Sequence, residues 1–340
     1  MPPIIDLHCD TLYRISSAPE RFFASPDTAD THVFHSGLRV ADGLVQCFAL
    51  FTDLCELPAV SPLSPLRQQV ACFQKILSSA NGQLLQIKTA SHLAECLREN
   101  KTGAILTLEE GCLSEHPVSL LPEFFDLGVR MTTFTWDYST LLASSATNAL
   151  PIPLPGYHSF SPALAGTSNK FSGLTPTGFD FLSEAEHLGI LIDVSHLSDA
   201  GFRDVASHSK RPFLASHSNA RSVYNVPRNL SDDMLRTLAL RGGLTGLCLH
   251  EPFLLPAPHS PKEVTEALVA HVKHILSVAG SETIALGTDF DGTPTNTAIP
   301  NITRLPHFAE QLKKAGLTSG QIDNLFYKNA LRFFLENLPE

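Results

Sequence analysis

Five short apolar stretches of this 340-residue chain end in side chains that bind metals or move protons. IIDLHCD (4–10) finishes in His8 and Asp10, and GAILTLEE (103–110) in Glu109 and Glu110. GILIDVSH (189–196) ends in His196, RPFLASH (211–217) in His217, and TIALGTDF (283–290) carries Asp289, with Asp291 just beyond. His8 and Asp10 are two apart, so on an extended chain both point to one side and Cys9 to the other. A hard carboxylate beside an imidazole suits zinc or a similar divalent ion. His196 and His217 are a second pair of imidazoles, able to hold a second ion. A carboxylate is then needed to bridge the pair and balance charge, and Glu109 is the natural candidate. Two ions ~3.5–4 Å apart that share a hydroxide supply a nucleophile at neutral pH. Asp289 is a carboxylate able to take and return the proton.

These residues are scattered over some 280 positions, so a fold must gather them. Three more apolar runs, GLVQCFALF (43–51), GVRMTTFTW (128–136) and GGLTGLCLH (242–250), complete a set of eight of strand length. Helix-length segments separate most of them. Pro65–Ser79 has apolar residues at helical spacing, and Thr177–His187, Ser198–Ser207, Ser231–Arg241 and Pro261–Ala279 read alike. Ser198 and Ser231, each followed by acidic residues, have the pattern of N-caps. Thr318–Asn337 reads as a closing helix. Strand and helix alternating eight times is the pattern of a single-domain (β/α)8 TIM barrel. Its parallel strands bring all their carboxyl ends to one rim, where barrel enzymes keep their active sites. A doubly wound open sheet is the competing architecture, but it favours a GxGxxG turn after the first strand, which is absent. The Ser-, Ala- and Pro-rich interval 141–175 is long for a barrel loop and reads as a lid or a disordered connection.

Taken singly, each residue has an ordinary reading. His196 could be a hydrogen-bonded strand end, and His217 and Asp289 could be turn residues. Their coincidence at strand ends of one barrel is what points to a metal site. His92, His116, His208, His271, His274 and His307 fall in helical or loop segments and are expected in solvent. The cysteines are expected to fill the core.

The balance of 24 basic against 34 acidic residues argues against a nucleic-acid partner. No apolar run reaches the ~18 residues of a membrane span. The first residues lack the basic flank of a signal peptide. Seven cysteines, odd in number and without a CxxC pair, read as reduced thiols of a cytoplasmic protein.

In this order the motifs resemble the membrane dipeptidase (renal dipeptidase-like) family of zinc peptidases, within the amidohydrolase-type barrels. The resemblance runs over nearly the whole chain: DLHCD, LTLEEG, GLTPTG, GILIDVSHLS, FLASHSNARSV, RNLSDDML and LGTDFDG. It implies a dipeptidase with two zinc ions, His8, Asp10 and Glu109 on one, Glu109, His196 and His217 on the other. It implies Asp289 as the proton shuttle, Arg228 as the holder of the substrate's C-terminal carboxylate, tolerance of a D-residue at that end, and a homodimer. A guanidinium suits that role because its fork matches a carboxylate. The chain departs from the family at one place: Trp136 stands where a His is expected to polarise the scissile carbonyl. An indole N–H donates a hydrogen bond but carries no charge. His158 and His250 are the alternative donors. Other amidohydrolase-type substrates (lactones, phosphoesters, acyl-amino acids) and an inactive metal-binding protein are the competing functions. Related enzymes that bridge metals with a carboxylated Lys place it at the fourth strand, and no Lys lies in 128–136.

Overall fold

A computed structural model describes residues 2–54, 61–147 and 173–340. Its strands are β1 (Ile4–Asp6), β2 (Gly43–Phe51), β3 (Leu84–Gln86), β4 (Thr102–Glu109), β5 (Val129–Thr132), β6 (Leu191–Ile192), β7 (Leu214–Ala215), β8 (Leu244–Leu247) and β9 (Ile284–Leu286). Every pairing among them is parallel, in the order β6-β5-β4-β2-β1-β9-β8-β7, and β3 pairs with β4 off this path. A parallel bridge between Asp193 and Leu214 joins β6 to β7 and closes the ring. The eight ring strands are those expected from the apolar runs, and closure excludes the open doubly wound sheet. The extra strand β3 and the helix Ala90–Glu99 that follows it have no counterpart in the sequence reading. β3 is three residues long and pairs only with β4, too short for a periodic signal.

Registration carries side-chain rows across the ring. Cys47 pairs with Ile105, and Phe51 with Glu109. Ile105 and Glu109 are four apart on one strand and so share a face. Ile105 belongs to an apolar cluster with Val45, Met131, Leu191, Leu214 and Phe333. That cluster packs beneath Glu109 and gives the site a rigid floor. Ser198 caps the helix Asp199–His208 by accepting from the Gly201 N–H (3.1 Å), and Ser231 caps Asp232–Leu240. The closing helix is not uniform: Ser319–Asp323 runs through a π segment, Asn324–Lys328, into Asn329–Asn337. The six cysteines among the described residues are all buried and unpaired.

His271 corrects the sequence reading. It is fully buried, not solvated, because its helix (Pro261–Ala279) turns that face inward beside Val264, Leu268 and Val272. Its Nδ1 accepts from the Ala220 N–H (3.2 Å) and its Nε2–H donates to the Leu254 carbonyl (3.3 Å). His274, also expected in solvent, is half-buried and pairs with Asp232 (2.8 Å). Burial holds the His271 imidazole neutral down to about 4. The unfolded chain takes up this proton near 6.5, the native state only near 4, so the stabilisation is full above 6.5 and is lost as pH falls through that window. Between about pH 7.5 and about pH 5 this costs about 2 kcal/mol. In urea unfolding at both pH values, His271→Gln should show a loss smaller at the lower pH by that amount. An equal loss at both would refute it.

Candidate metal centre

Five strand ends converge at the carboxyl rim. β1 leads into His8 and Asp10, whose Nε2 and Oδ2 are 3.2 Å apart. The two side chains therefore share a side, while Cys9 packs in the core with Leu12 and Leu50. β1 itself stops at Asp6, but a parallel bridge from Cys9 to Phe290 keeps the chain extended up to Asp10. Glu109 is the last residue of β4 and sits at the centre. Its Oε2 is 3.6 Å from His8 Nε2, and its Oε1 is 3.0 Å from His196 Nε2 and 3.5 Å from His217 Nε2. The two Nε2 atoms of His196 and His217 are 2.9 Å apart. Asp289 Oδ1 stands 4.0 Å from His8 Nε2.

Glu110 points elsewhere. Successive strand residues alternate sides, and Glu110 leaves the strand at φ 71°. Its carboxylate accepts from the backbone N–H groups of Cys112 (2.8 Å) and Trp136 (3.0 Å). Burial raises it to about 8. Asp291 is likewise occupied, accepting from the His32 N–H (2.7 Å) and the Thr11 hydroxyl (2.6 Å). It ties the ends of β9 and β1 together.

The backbone at the rim is unusual. His196, Asp289 and Asp291 also adopt left-handed φ of 66°, 62° and 69°. Such conformations cost of order 1–3 kcal/mol each and persist where the surroundings impose them. Gly292 is required for a different reason. A Cβ there would lie 2.2 Å from Asp10 Oδ2 and 2.5 Å from Asp289 Oδ1. The two carboxylates thus pack against bare backbone.

The electrostatics call for a cation. Asp10, Glu109 and Asp289 are each at most 8% exposed, and Arg228 is the nearby buried cation. Gathering carboxylates out of water is costly unless positive charge compensates. Burial lowers His8, but Glu109 and Asp10 outweigh it and raise it well above the ordinary range. Burial raises Glu109, yet His8 and His196 pull it well below the usual carboxylate range. His217 is lowered well below its ordinary value by burial and by the positive charges on His8 and Arg228. Asp289 is raised to about 7 by burial, with His8 opposing and Asp10 and Glu109 adding. Protons on imidazole are the charge this cluster attracts in the absence of a metal.

The donor set fits a divalent ion. His8, Glu109 and His217 place one ligand atom each within 4.8 Å of one another, and so do His8, Asp10 and Asp289. Asp10 Oδ1 is buried without a hydrogen-bond partner, an oriented lone pair with nothing to satisfy it. Nitrogen and carboxylate donors at a closed, polar point are the ligand types of zinc and its neighbours.

A cleft of about 160 Å³ opens onto this cluster, walled by Tyr13, Phe51, Trp136 and Phe253. Trp136 is half-buried, 5.0 Å from Phe51 and 6.2 Å from His196 between ring centroids. His250 lines the same cleft, whereas His158 and most of the interval 141–175 lie outside the described residues. Arg228 is 3% exposed, not a surface helix-start arginine. Its guanidinium lies 5.3 Å over the Phe253 ring, makes long contacts to Ser218 Oγ (3.4 Å) and the His217 carbonyl (3.3 Å), and leaves Nε without a partner.

The sequence reading missed two residues here. Asp6 accepts from the Thr288 N–H (2.8 Å), the Thr288 hydroxyl (2.7 Å) and Gln46 Nε2 (2.9 Å), pinning β1 to the turn before Asp289. Its position two before His8 in IIDLHCD was a usable signal. Asp137 accepts from His196 Nδ1 (2.8 Å) and had no signal, because it lies on an irregular arm beyond β5.

A closed parallel barrel with imidazoles and carboxylates clustered at its carboxyl rim has the architecture of a metal-dependent barrel enzyme. The family model for membrane dipeptidases (peptidase family M19) matches residues 1–337, and the chain belongs to that family. It is a metallo-dipeptidase, a hydrolase, as the motifs implied. It is 26% identical over 346 residues to an uncharacterised dipeptidase of Schizosaccharomyces pombe, covering 97% of this chain and 79% of the relative. It is 26% identical over 266 residues to dipeptidase verJ of Clonostachys rogersoniana, covering 78% and 63%. Among solved structures, a family M19 dipeptidase superposes with a TM-score of 0.84 at 24% identity, covering 99% and 98% of the two chains. A metallopeptidase from Rhodobacter sphaeroides, liganded with a phosphinate mimic of L-Ala-D-Ala, also gives 0.84, at 22% identity and 99% of each chain. No helix among the described residues is long and apolar enough to cross a membrane.

Proposed function

We propose that the chain acts as a single barrel unit that hydrolyses dipeptides, including L,D-dipeptides, with two zinc ions at the rim. The observation that carries this reading is Glu109 lying within 3.0–3.6 Å of three imidazole nitrogens from three other strand ends. His8, Asp10 and Glu109 would hold one ion, and Glu109, His196 and His217 the other. Bound there, the metal supplies Lewis acidity and a water acidic enough to act as nucleophile at neutral pH.

The remaining roles belong to the chain. Arg228 binds the substrate's free carboxylate; its Nε has no partner and its other contacts are long. Asp289 Oδ1 takes the proton of the attacking water and passes it to the leaving amine. Phe51 and Trp136 wall the cleft and exclude water, and the Trp136 indole N–H is the donor to the carbonyl oxygen. The neighbour liganded with an L-Ala-D-Ala mimic supports the inclusion of L,D-dipeptides. Buried, unpaired cysteines support a reducing, cytoplasmic setting. The family resemblance supports a homodimer.

The zinc-loaded protein should cleave members of a panel of L,L- and L,D-dipeptides and discriminate against their C-terminal amides. Arg228→Met should erase that discrimination by lowering kcat/KM for the free acids by about 10²-fold, the loss expected for a charged hydrogen-bonded contact. No cleavage of any dipeptide would overturn the substrate assignment.

A further inference from the structure

Asp137 lies outside the ligand set and makes a short side-chain contact to it. Its Oδ1 is 2.8 Å from His196 Nδ1. An ionised carboxylate only accepts, so the ring proton sits on Nδ1. Nε2 is then the nitrogen turned toward Glu109 Oε1 and His217 Nε2, at 3.0 and 2.9 Å, and the one free to give its lone pair to a metal. That is the tautomer a ligand through Nε2 needs.

The backbone around this contact is built to hold it. The Ala146 N–H donates to the His196 carbonyl (2.7 Å), and the Ser198 N–H donates to the Ser144 carbonyl (2.9 Å). Ser145 and Leu197 form an antiparallel bridge. The Thr147 hydroxyl donates to the carbonyl of Asp137 itself (3.0 Å). The arm from Asp137 to Thr147 thus wraps the His196 turn on both its side-chain and its backbone faces. His196 holds a left-handed φ of 66° within that wrap.

Asp137 is 37% exposed on its side chain and borders the cleft. It is too open to serve as core filling, and the arm bonds the His196 turn through Asp137, Ser144 and Ala146. We propose that Asp137 is a positioning residue: it fixes the tautomer and ring plane of His196 and thereby sets metal affinity at the site. This rests on His196 being a metal ligand. Carboxylate–imidazole–metal relays of this kind are worth 10–100-fold in affinity or activity.

The test is Zn²⁺ affinity by chelator competition, on wild type, Asp137→Ala, Asp137→Asn and His196→Ala, with far-UV circular dichroism and thermal unfolding of each metal-free protein. Asp137→Ala should bind Zn²⁺ about 10–100-fold more weakly with its fold intact. Asp137→Asn, whose amide oxygen still accepts from Nδ1, should fall between the two. The weakened affinity should appear in kcat at subsaturating zinc, with KM for dipeptide little changed. Wild-type zinc affinity in Asp137→Ala would overturn the proposal. So would a loss confined to KM, which would place Asp137 on the substrate. If Asp137→Ala fails to fold, Asp137→Asn decides alone: wild-type affinity there, with Nδ1 still satisfied, together with wild-type kcat at subsaturating zinc, refutes an electrostatic hold on His196. His196→Ala that keeps full zinc would instead refute the underlying ligand assignment.

Discussion

Glu109→Gln should leave a folded barrel that no longer retains its metal. Among the described residues, Glu109 is the one carboxylate within 4 Å of His8, His196 and His217 together. The amide keeps the shape and loses the charge, so both proposed ions lose an anionic ligand at once. The remaining imidazoles bring no negative charge: His217 is held neutral by burial and by the positive charges on His8 and Arg228. Zinc content after dialysis should fall well below that of wild type. Activity should fall by at least about a thousandfold, since a Lewis acid contributes several kcal/mol to the transition state and each 1.36 kcal/mol is about tenfold. Circular dichroism should be unchanged, because Gln keeps the shape of Glu and the apolar cluster that holds Ile105 is left intact. Glu110→Gln is the control. Its carboxylate holds the N–H groups of Cys112 and Trp136, so it should retain zinc while losing stability. Full zinc and full activity in Glu109→Gln would remove the basis of the metal assignment.

Asp289→Asn should separate proton transfer from metal binding. Asp289 lies 4.0 Å from His8 and is 8% exposed, at the edge of the ligand cluster and not at its centre. An amide there accepts no proton, so kcat should drop by about 10²–10⁴-fold, the range for a lost general acid or base. KM and zinc stoichiometry should change little. Asp289 also groups with His8 and Asp10 as a ligand triad within 4.8 Å. That gives the experiment its second edge: zinc lost in parallel with kcat would make Asp289 a ligand and leave the shuttle role vacant. Cys248, whose Sγ is 3.7 Å from Asp289 Oδ2, offers no substitute, because burial keeps that thiol protonated.

Much of this protein is written locally. Apolar runs of strand length alternating with capped helices specify eight strands, and the parallel barrel follows because each strand must bury both faces. His8, Asp10, Glu109, His196, His217 and Asp289 are legible for the same reason: a residue at the carboxyl end of a barrel strand has one rim to reach. The two-residue step from His8 to Asp10 even assigns their common side, leaving Cys9 to the core. What the chain could not announce depends on contacts between distant segments. Where Glu110 goes depends on the left-handed turn at the end of β4, which sends its carboxylate to Cys112 and Trp136 and away from Glu109. His271 reads as a solvated helical residue until its neighbours at Ala220 and Leu254 enclose it. Arg228 is buried only because Phe253 and the turn after β7 close over it. Asp137 lies on an arm with no periodicity, and its meaning arises when that arm bonds to the His196 turn. Periodicity and spacing are local properties and determine which residues arrive at the rim. Burial, tautomer and charge compensation are sums over neighbours from many segments, and the tertiary structure alone decides them.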